Sequence, residues 1–295
     1  MTADWIAVDW GTTHLRAWAM TGAEIAASAE SDDGMSRLAP DEFEPALLRL
    51  VGDWLGEGAT RVTACGMVGA RQGWAEAPYR PVPCTAAGGG TLPVLTHDAR
   101  LDVRIIPGLS QDSPADVMRG EETQIAGFVA ANPKFDGILC LPGTHTKWAH
   151  VSAEEVVSFR TFMTGEIFAL LSSQSVLRHS LAAEDWDADA FADAVGEGLS
   201  RPESFAARAF SLRAEHLLHD QSATVSRSRL SGWLIGAELA AARPYWLGQP
   251  VALIGAPALC HLYAAALKSQ GLEAPIADGD AMTLAGLAAV QLGRV

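Results

Sequence analysis

IAVDWGTTHLRAW, at residues 6–18, joins two stretches of alternating apolar residues through a short Gly-Thr turn. Period-two alternation on both sides of such a turn predicts a β-hairpin. The turn suits phosphate binding, because glycine lets backbone N–H groups approach an anion and threonine hydroxyls add donors. Asp9 stands at the strand end beside the turn, where a carboxylate can hold hydrated Mg²⁺ next to phosphates. Taken alone, the pattern favours an ordinary hairpin that ends in an acidic residue.

A second copy of the pattern lies at residues 138–150, which read ILCLPGTHTKWAH. Aligning Gly11 with Gly143 pairs the two Gly-Thr turns at an offset close to half of the 295 residues. Such an offset indicates the internal duplication of a domain. Only the first copy supplies the acid, since Leu141 stands where the first copy has Asp9. Two phosphate turns with one metal-side acid favour a nucleotide held between two related lobes.

Composition limits the possible functions. With 49% hydrophobic and 19% charged residues, the chain is typical of folded globular proteins and long enough for two domains. The net charge of −14 argues against nucleic-acid and acidic-membrane partners. The four cysteines form no CxxC pair, so neither a zinc site nor a disulfide framework is predicted. No signal peptide or membrane span is visible, and we expect a cytoplasmic protein. Association of identical chains stays open.

Most of the chain is predicted as alternating strands and helices, with one long irregular segment. Predicted strands form a meander over residues 6–30 and recur at 61–65, 101–106, 137–141, 156–162, 250–255 and 273–277. Predicted helices start after Pro40, at Ser113 with an interruption at Gly120, and at Glu121, followed by four stretches over about 167–242 and two more at 256–270 and 281–292. Residues 164–166 are predicted as a capped turn.

The irregular segment, residues 66–84, is rich in Gly, Pro and aromatic residues. Long loops in compact domains are usually functional or mobile. Arg71, Gln72, Trp74 and Tyr79 therefore form either a ligand-contact surface or a packed loop, and the residues alone favour neither.

Two further features have chemical potential. Glu121 and Glu122 follow a glycine at a predicted helix start, where they either complement the helix dipole or let one carboxylate take a proton from a substrate hydroxyl. Gly255 joins a buried strand to a helix start, an arrangement that can cradle a nucleotide but is common in α/β domains.

Taken together, these motifs resemble the superfamily of actin-like ATPases, sugar kinases and Hsp70 proteins, in which two ribonuclease-H-like lobes clamp a nucleotide. Within it the chain is similar to the bacterial 2-dehydro-3-deoxygalactonokinases. The similar stretches are VDWGTTHLRAW at 8–18, GMVGARQGWAEAPY at 66–79, DVMRGEETQ at 116–124, LPGTHTKW at 141–148 and FRTFMTGEIFALL at 159–171. The resemblance implies an α/β fold with an N-terminal lobe at 1–135, a C-terminal lobe at 136–295 and a nucleotide cleft between them.

The resemblance also implies an activity. A kinase of this family would use ATP and Mg²⁺ to phosphorylate the terminal hydroxyl of 2-dehydro-3-deoxy-D-galactonate, giving the 6-phosphate in galactonate breakdown. Other readings are a kinase for a related sugar acid such as the gluconate-derived epimer, a phosphohydrolase that uses water, and a non-catalytic nucleotide sensor.

Residue by residue, the resemblance places Asp9 where Mg²⁺ is oriented through water. The first phosphate loop would comprise Gly11, Thr12 and Thr13, and the second Gly143, Thr144, His145 and Thr146. Lys147 would add a cation near the second loop. Gly255 falls near the adenosine turn, although this chain has Gly-Ala-Pro where Gly-Gly is often seen.

The general base and the substrate contacts are predicted less directly. The RGEE stretch resembles the Gly-Glu-Glu stretch of the related exopolyphosphatases, in which a glutamate activates the nucleophile, so Glu121 is favoured as the base and Glu122 is second. Most sugar kinases of the superfamily use an aspartate, which makes Asp112 the third candidate. A substrate carboxylate calls for a planar bidentate donor, and Arg71 and Arg160 are the candidates, with a structural ion pair as the alternative for each. Gln72, Trp74 and Thr164 complete the predicted substrate site.

Overall fold

The computed structural model describes residues 2–294. This part of the chain forms two compact units. The first contains residues 2–136, 151–158 and 279–294, and the second contains Gly137–His150 and Phe159–Asp278. The main boundary lies close to the predicted one, but the structure differs from the prediction in assigning 151–158 and 279–294 to the first unit.

The strands and helices follow one another along the chain in an α/β pattern. The strands are β1 Trp5–Trp10, β2 Leu15–Thr21, β3 Glu24–Ser31, β4 Thr60–Gly66, β5 Tyr79–Pro81, β6 Cys84–Thr85, β7 Leu92–Pro93, β8 Leu101–Ile105, β9 Gly108–Gln111, β10 Asp116–Met118, β11 Gly137–Leu141, β12 Thr146–Ser152, β13 Glu155–Phe162, β14 Val251–Gly255 and β15 Ile276–Asp278. The helices are α1 Phe43–Val51, α2 Glu121–Ala131, α3 Thr164–Ser173, α4 Ala188–Ser200, α5 Phe205–His219, α6 Ala223–Ala241, α7 Arg243–Trp246, α8 Pro257–Lys268 and α9 Gly279–Gln291.

The two main sheets share one topology. One runs β3-β2-β1-β4-β8, with β7 beyond it, and the other runs β13-β12-β11-β14-β15. In both, the last three strands of this order are parallel neighbours. The two Gly-Thr turns follow β1 and β11, which hold the same place in the two strand orders. This repeated order confirms the predicted α/β fold with two related halves.

The last helix of the chain, α9, packs against α2 within the first unit. In α9, Gly286 lies so close to α2 that an added Cβ would come within 1.9 Å of the Thr123 carbonyl oxygen, and a Cβ on Gly127 of α2 would come within 2.0 Å of the Met282 carbonyl. Small residues at both positions let the two backbones touch. The tip of the β12–β13 hairpin also belongs to this unit, because Glu155 and Val156 pair with β6. These contacts explain why chain order alone misplaced both segments.

Two local predictions were wrong. Residues 112–115 form the turn of a hairpin and not a helix, because Gln111 pairs with Asp116 across β9 and β10. Thr164 begins α3 and does not belong to a separate capped turn. Among the residues that the structure describes, no helix combines the length and the apolarity needed to cross a bilayer.

Candidate active site

The first Gly-Thr turn is held from one side by the segment after β3. The Gly11 N–H donates to the His14 carbonyl at 2.9 Å and closes the turn. The Thr12 carbonyl accepts from both the backbone N–H of Ser36, at 3.0 Å, and its hydroxyl, at 2.8 Å. A Cβ on Gly34 would lie only 2.5 Å from the same carbonyl, so glycine is required there. The exposed side chains of the turn are those of Thr12, Thr13 and His14.

Asp9 lies beside this turn with a cationic partner. In the hairpin register Asp9 faces Arg16, whose Nη2 lies 2.5 Å from Asp9 Oδ2. The Nη1 atom of Arg16 lies 2.6 Å from Asp280 Oδ1 in the first turn of α9. Arg16 therefore joins the predicted metal-side acid to the start of α9, a link that sequence reasoning missed because the partners are far apart in the chain.

Two glycines bring the start of α2 towards Asp9. Gly66 ends β4 with φ +89°, and a Cβ there would lie 2.7 Å from the Trp10 carbonyl and 3.4 Å from Asp9 Oδ1. Gly120 precedes α2 with φ +106°, and its Cβ would lie 3.5 Å from the Gly66 Cα. This positive-φ backbone is open to glycine and strained for other residues. Within the first unit, the glycine that precedes the two glutamates thus lies close to the backbone beside the predicted acid.

Glu121 and Glu122 differ sharply in environment. Glu122 is fully buried, and its carboxylate accepts from the Gly120 N–H at 2.7 Å and from the Thr123 hydroxyl at 3.1 Å. Burial, with the Glu121 charge second, raises the pKa of Glu122 to about 8. Glu121 is partly exposed and accepts from the Arg119 N–H at 3.1 Å. Of the two glutamates at the start of α2, only Glu121 is therefore accessible to a substrate. Asp112 is also exposed, but it lies on the β9–β10 turn.

The second Gly-Thr turn lies against the start of α3. A Cβ on Gly165 would come within 2.3 Å of the Gly143 carbonyl, and the Glu166 N–H donates to the Thr144 carbonyl at 2.9 Å. His145 Nε2 lies 2.6 Å from Glu166 Oε2. A segment with a closely packed glycine, Gly34 in the first unit and Gly165 in the second, therefore lies against each of the two turns. The duplication thus extends beyond the turns themselves.

The residues that follow this turn point inward. The side chain of Thr146 is fully buried and lies 3.0 Å from the Tyr263 hydroxyl. Lys147 is 4% exposed, and its Nζ donates to the His145 carbonyl at 3.4 Å. The exposed members of the predicted second phosphate loop are Thr144 and His145.

A cavity of about 230 Å³ in the second unit adjoins this turn. Gly143 and Gly165 line it at one side, and Leu259 and Leu262 of α8 line it at another. Arg227, also in the lining, stacks on the Phe168 ring with its guanidinium carbon 4.9 Å from the centroid. Gly255 itself ends β14 at φ +155°, where a Cβ would lie 3.2 Å from the Pro142 carbonyl.

The irregular segment of the first unit is split between packing and exposure. Trp74 packs against Trp10 and Phe43, with centroid distances of 6.0 and 6.4 Å. Gln72 and Arg71 are exposed, and Arg71 Nε lies 3.4 Å from Glu76 Oε1. The structure thus gives Trp74 the packing role that sequence reasoning had left open.

Arg119 braces the same segment and was missed from sequence. Its Nη2 donates to the Ala77 carbonyl at 2.7 Å, and its guanidinium stacks 4.3 Å from the Tyr79 ring centroid. Its Nε and Nη1 atoms are buried and lack a hydrogen-bond partner among residues 2–294. The residue directly before Gly120 therefore connects the segment to the start of α2.

The last two predicted substrate residues lie in the second unit. Arg160 is exposed on β13. The Thr164 hydroxyl donates to the buried carboxylate of Glu238, a residue that sequence reasoning passed over within the alanine-rich α6.

No cluster of three or more His, Cys, Asp or Glu side chains suited to a metal ion occurs within residues 2–294. A tightly held, protein-only metal cage is therefore not formed by this part of the chain. Asp9, with a single carboxylate beside the first turn, suits instead a Mg²⁺ ion that keeps waters and takes its other ligands from phosphates.

Known proteins resemble the chain along almost its whole length. A family model described as 2-keto-3-deoxy-galactonokinase matches residues 9–290. A protein of Rhizobium meliloti (strain 1021), named a probable 2-dehydro-3-deoxygalactonokinase, is 39% identical and is aligned over 96% of this chain and 95% of its own. The 2-dehydro-3-deoxygalactonokinase of Escherichia coli (strain K12) is 36% identical, over 98% of each chain.

A solved structure from Sinorhizobium meliloti carries the same family name. It superposes with a TM-score of 0.89 at 38% identity and covers 98% of this chain and 96% of its own. The full-length match and the shared fold agree with the two Gly-Thr turns and the RGEE stretch described above. The chain therefore belongs to the 2-keto-3-deoxy-galactonokinase family.

Proposed function

We propose that the chain is an ATP-dependent kinase that transfers a phosphoryl group to the terminal hydroxyl of 2-dehydro-3-deoxy-D-galactonate. The product would be the 6-phosphate, formed during galactonate breakdown. The family match over residues 9–290 carries this proposal, together with two relatives of that name aligned over nearly their full lengths. The cytoplasmic location stays a prediction.

Phosphoryl transfer asks mainly for positioning and charge neutralisation. In the first unit, the exposed Thr12 and Thr13 that follow Gly11 would offer N–H and hydroxyl donors to phosphate, and Asp9 would hold Mg²⁺ through water. When bound, the ion would neutralise phosphate oxygens. Arg16, already 2.5 Å from Asp9, would keep this carboxylate oriented.

Glu121 is the proposed general base. It lies at the start of α2, partly exposed, on a backbone held towards Asp9 by Gly66 and Gly120. There it would take the proton from the substrate hydroxyl as that oxygen attacks the γ-phosphorus. Glu122 would stabilise the backbone at the start of α2 by accepting a hydrogen bond from the Gly120 N–H.

The second unit is proposed to bind the remainder of the nucleotide. Gly143, Thr144 and His145 would contact phosphates, and the adjoining 230 Å³ cavity has the apolar and cationic lining that suits a heterocyclic base. Thr146 and Lys147, both buried, would shape this loop from beneath. Gly255 would keep β14 close to Pro142.

The carboxylate of the sugar acid requires a cation against the net charge of −14. Arg71 and Arg160 are the proposed partners, since both are exposed. Gln72 is accessible beside Arg71, and Thr164 would act through the start of α3.

A panel of acceptors tests the proposal. ADP release is measured with Mg-ATP and 2-dehydro-3-deoxygalactonate, with its gluconate epimer, and with no acceptor. We expect release only with an acceptor and fastest with the galactonate compound. Equal rates for the two epimers would indicate a kinase that does not read C4, and release without an acceptor would indicate a hydrolase.

A further inference from the structure

A buried carboxylate in α6 connects three other elements of the second unit. Glu238 is 3% exposed. It accepts hydrogen bonds from Trp148 Nε1 on β12 and from the Tyr263 hydroxyl on α8, both at 2.8 Å. It also accepts from the hydroxyl of Thr164, the first residue of α3. One side chain thereby joins the strand after the second Gly-Thr turn to both helices beside it.

A hydrogen-bonded chain leads from Glu238 into the turn itself. Tyr263 has one hydroxyl proton, and the structure directs it to Glu238. The buried Thr146 hydroxyl, 3.0 Å away, then donates to the Tyr263 oxygen. Because Thr146 directly follows His145, its orientation helps to set the backbone of the predicted second phosphate loop.

The α3 side of the turn is held through the same carboxylate. Glu238 fixes Thr164, the residue before the close contact of Gly165 with the Gly143 carbonyl. One residue later, the Glu166 N–H donates to the Thr144 carbonyl. A shift of Thr164 would therefore displace the backbone against which Gly143 and Thr144 rest.

Burying the Glu238 carboxylate costs free energy, so we expect this side chain to have a role beyond packing. Burial raises the pKa of Glu238 to about 7, because the charged form loses its hydration. A well-packed apolar residue would avoid that cost. What the carboxylate adds is direction, since three donors from three elements must meet at its two oxygens.

We propose that Glu238 is a positioning residue for nucleotide binding, which fixes the second Gly-Thr turn and the start of α3 in the geometry that receives the phosphates of ATP. Being buried, it acts through Thr146 and Thr164 and touches no phosphate. The inference rests on the proposed kinase function. It predicts that losing the carboxylate weakens ATP binding selectively, whereas a role in stability alone would leave the affinity of the folded protein unchanged.

Glu238→Gln tests this with little change in size. The amide places a donor where the carboxylate has only acceptors, so one of the Trp148, Tyr263 and Thr164 contacts must be lost or reversed. We expect the ATP Kd from calorimetry to rise by roughly tenfold or more and the sugar-acid KM, which depends on Thr164 only through the start of α3, to change by a smaller factor. Tyr263→Phe removes one of the three donors to Glu238 together with the link to Thr146, and it should raise the ATP Kd by about threefold or more.

Glu44→Gln provides the matched control. Glu44 is another buried carboxylate, in the first unit, and it accepts from the backbone N–H groups of His97 and Asp98. This variant should lower the melting temperature without changing the ATP Kd. An unchanged ATP Kd in folded Glu238→Gln, even with a lowered melting temperature, would overturn the inference while leaving the kinase proposal intact.

Two further outcomes remain decisive. Should Glu238→Gln not fold, Tyr263→Phe settles the question, and an unchanged ATP Kd in that variant would overturn the inference. A wild-type protein that neither binds ATP nor releases ADP with any acceptor would overturn the kinase proposal as well.

Discussion

Glu121 and Glu122 are neighbours in the chain, yet burial gives them different chemistry. Glu122 is enclosed and its carboxyl oxygens accept hydrogen bonds from Gly120 and Thr123, whereas Glu121 remains partly exposed. A general base must reach the proton that it abstracts. The adjacent pair thus divides into a reactive candidate and a group that holds the start of α2.

Glu121→Gln should leave ATP binding intact and lower kcat by about 10²–10⁴, because the amide cannot accept the hydroxyl proton. Steady-state kinetics with the sugar acid, together with calorimetry for ATP, measures both effects. Wild-type turnover in this variant would contradict the assignment, and a comparable loss in Asp112→Asn alone would move the base to Asp112.

Glu122 should make the stability of the protein depend on pH. Its pKa is about 8 in the folded state against an ordinary 4.5, so the folded protein retains a proton that the unfolded chain has released. Stability should therefore fall as pH rises from about 4.5 to about 8, by up to about 5 kcal/mol for this group.

Urea unfolding of wild type and Glu122→Gln across this range measures the effect. The wild-type curve should fall more steeply, since the glutamine cannot titrate. Glu238, with a pKa of about 7, contributes a similar slope to both proteins, and the difference between the curves isolates Glu122. Parallel curves would mean that Glu122 is ionised in the folded protein at neutral pH.

Among the elements of the first unit, α2 and α9 pack with their backbones in direct contact. Gly286→Ala would place a methyl group within 1.9 Å of the Thr123 carbonyl, so the helices must separate. We expect the free energy of unfolding to drop by roughly 2 kcal/mol or more. Since Glu121 and Arg16 are both tied to these helices, turnover should fall too.

Gly196→Ala is the control for this variant. It is also a helical glycine, in α4, but its Cβ would meet nothing within 4 Å. The substitution should stabilise the protein by about 0.5–1 kcal/mol, because alanine loses less conformational freedom on folding. Equal effects of the two substitutions in chemical unfolding would refute the close-contact explanation.

The irregular segment of the first unit contains Arg71, one of the two arginines proposed to bind the substrate carboxylate. Arg71→Ala should raise the sugar-acid KM at least about tenfold and leave the ATP KM nearly unchanged, since the ion pair with the exposed Glu76 contributes little to stability. Arg160→Ala, measured in parallel, identifies which arginine binds the carboxylate. Equal changes in both KM values would indicate a structural role for the arginine concerned.

At the scale of the whole molecule, the duplication was predictable because each copy carries its turn after a regular apolar strand. The strand β11 was predicted at its observed bounds, and α2 was predicted at its observed start. The hairpin β9–β10 was not, because Ser113-Pro114 also resembles a helix start. Chain order could not reveal that α9 packs on α2, since that contact depends on glycines far apart in the sequence.

The residues of the candidate site also divide into those that local motifs predict and those that depend on the tertiary fold. Asp9, the Gly-Thr turns and the RGEE stretch were visible as local motifs. Glu238 was not, because a single acid in an alanine-rich helix has no local signature and its donors come from three distant elements. Arg16 was within a motif, but its bridge to Asp280 depends on the tertiary fold.

Transfer of a phosphoryl group from ATP to the terminal hydroxyl of a sugar acid is the activity on which the other proposals depend. Product analysis by phosphorus NMR and mass spectrometry, with 2-dehydro-3-deoxygalactonate and Mg-ATP, tests it most directly. We expect one ADP for each sugar acid phosphorylated, with the phosphate on the C6 oxygen. Inorganic phosphate as the main product, or phosphate on another oxygen, would contradict it.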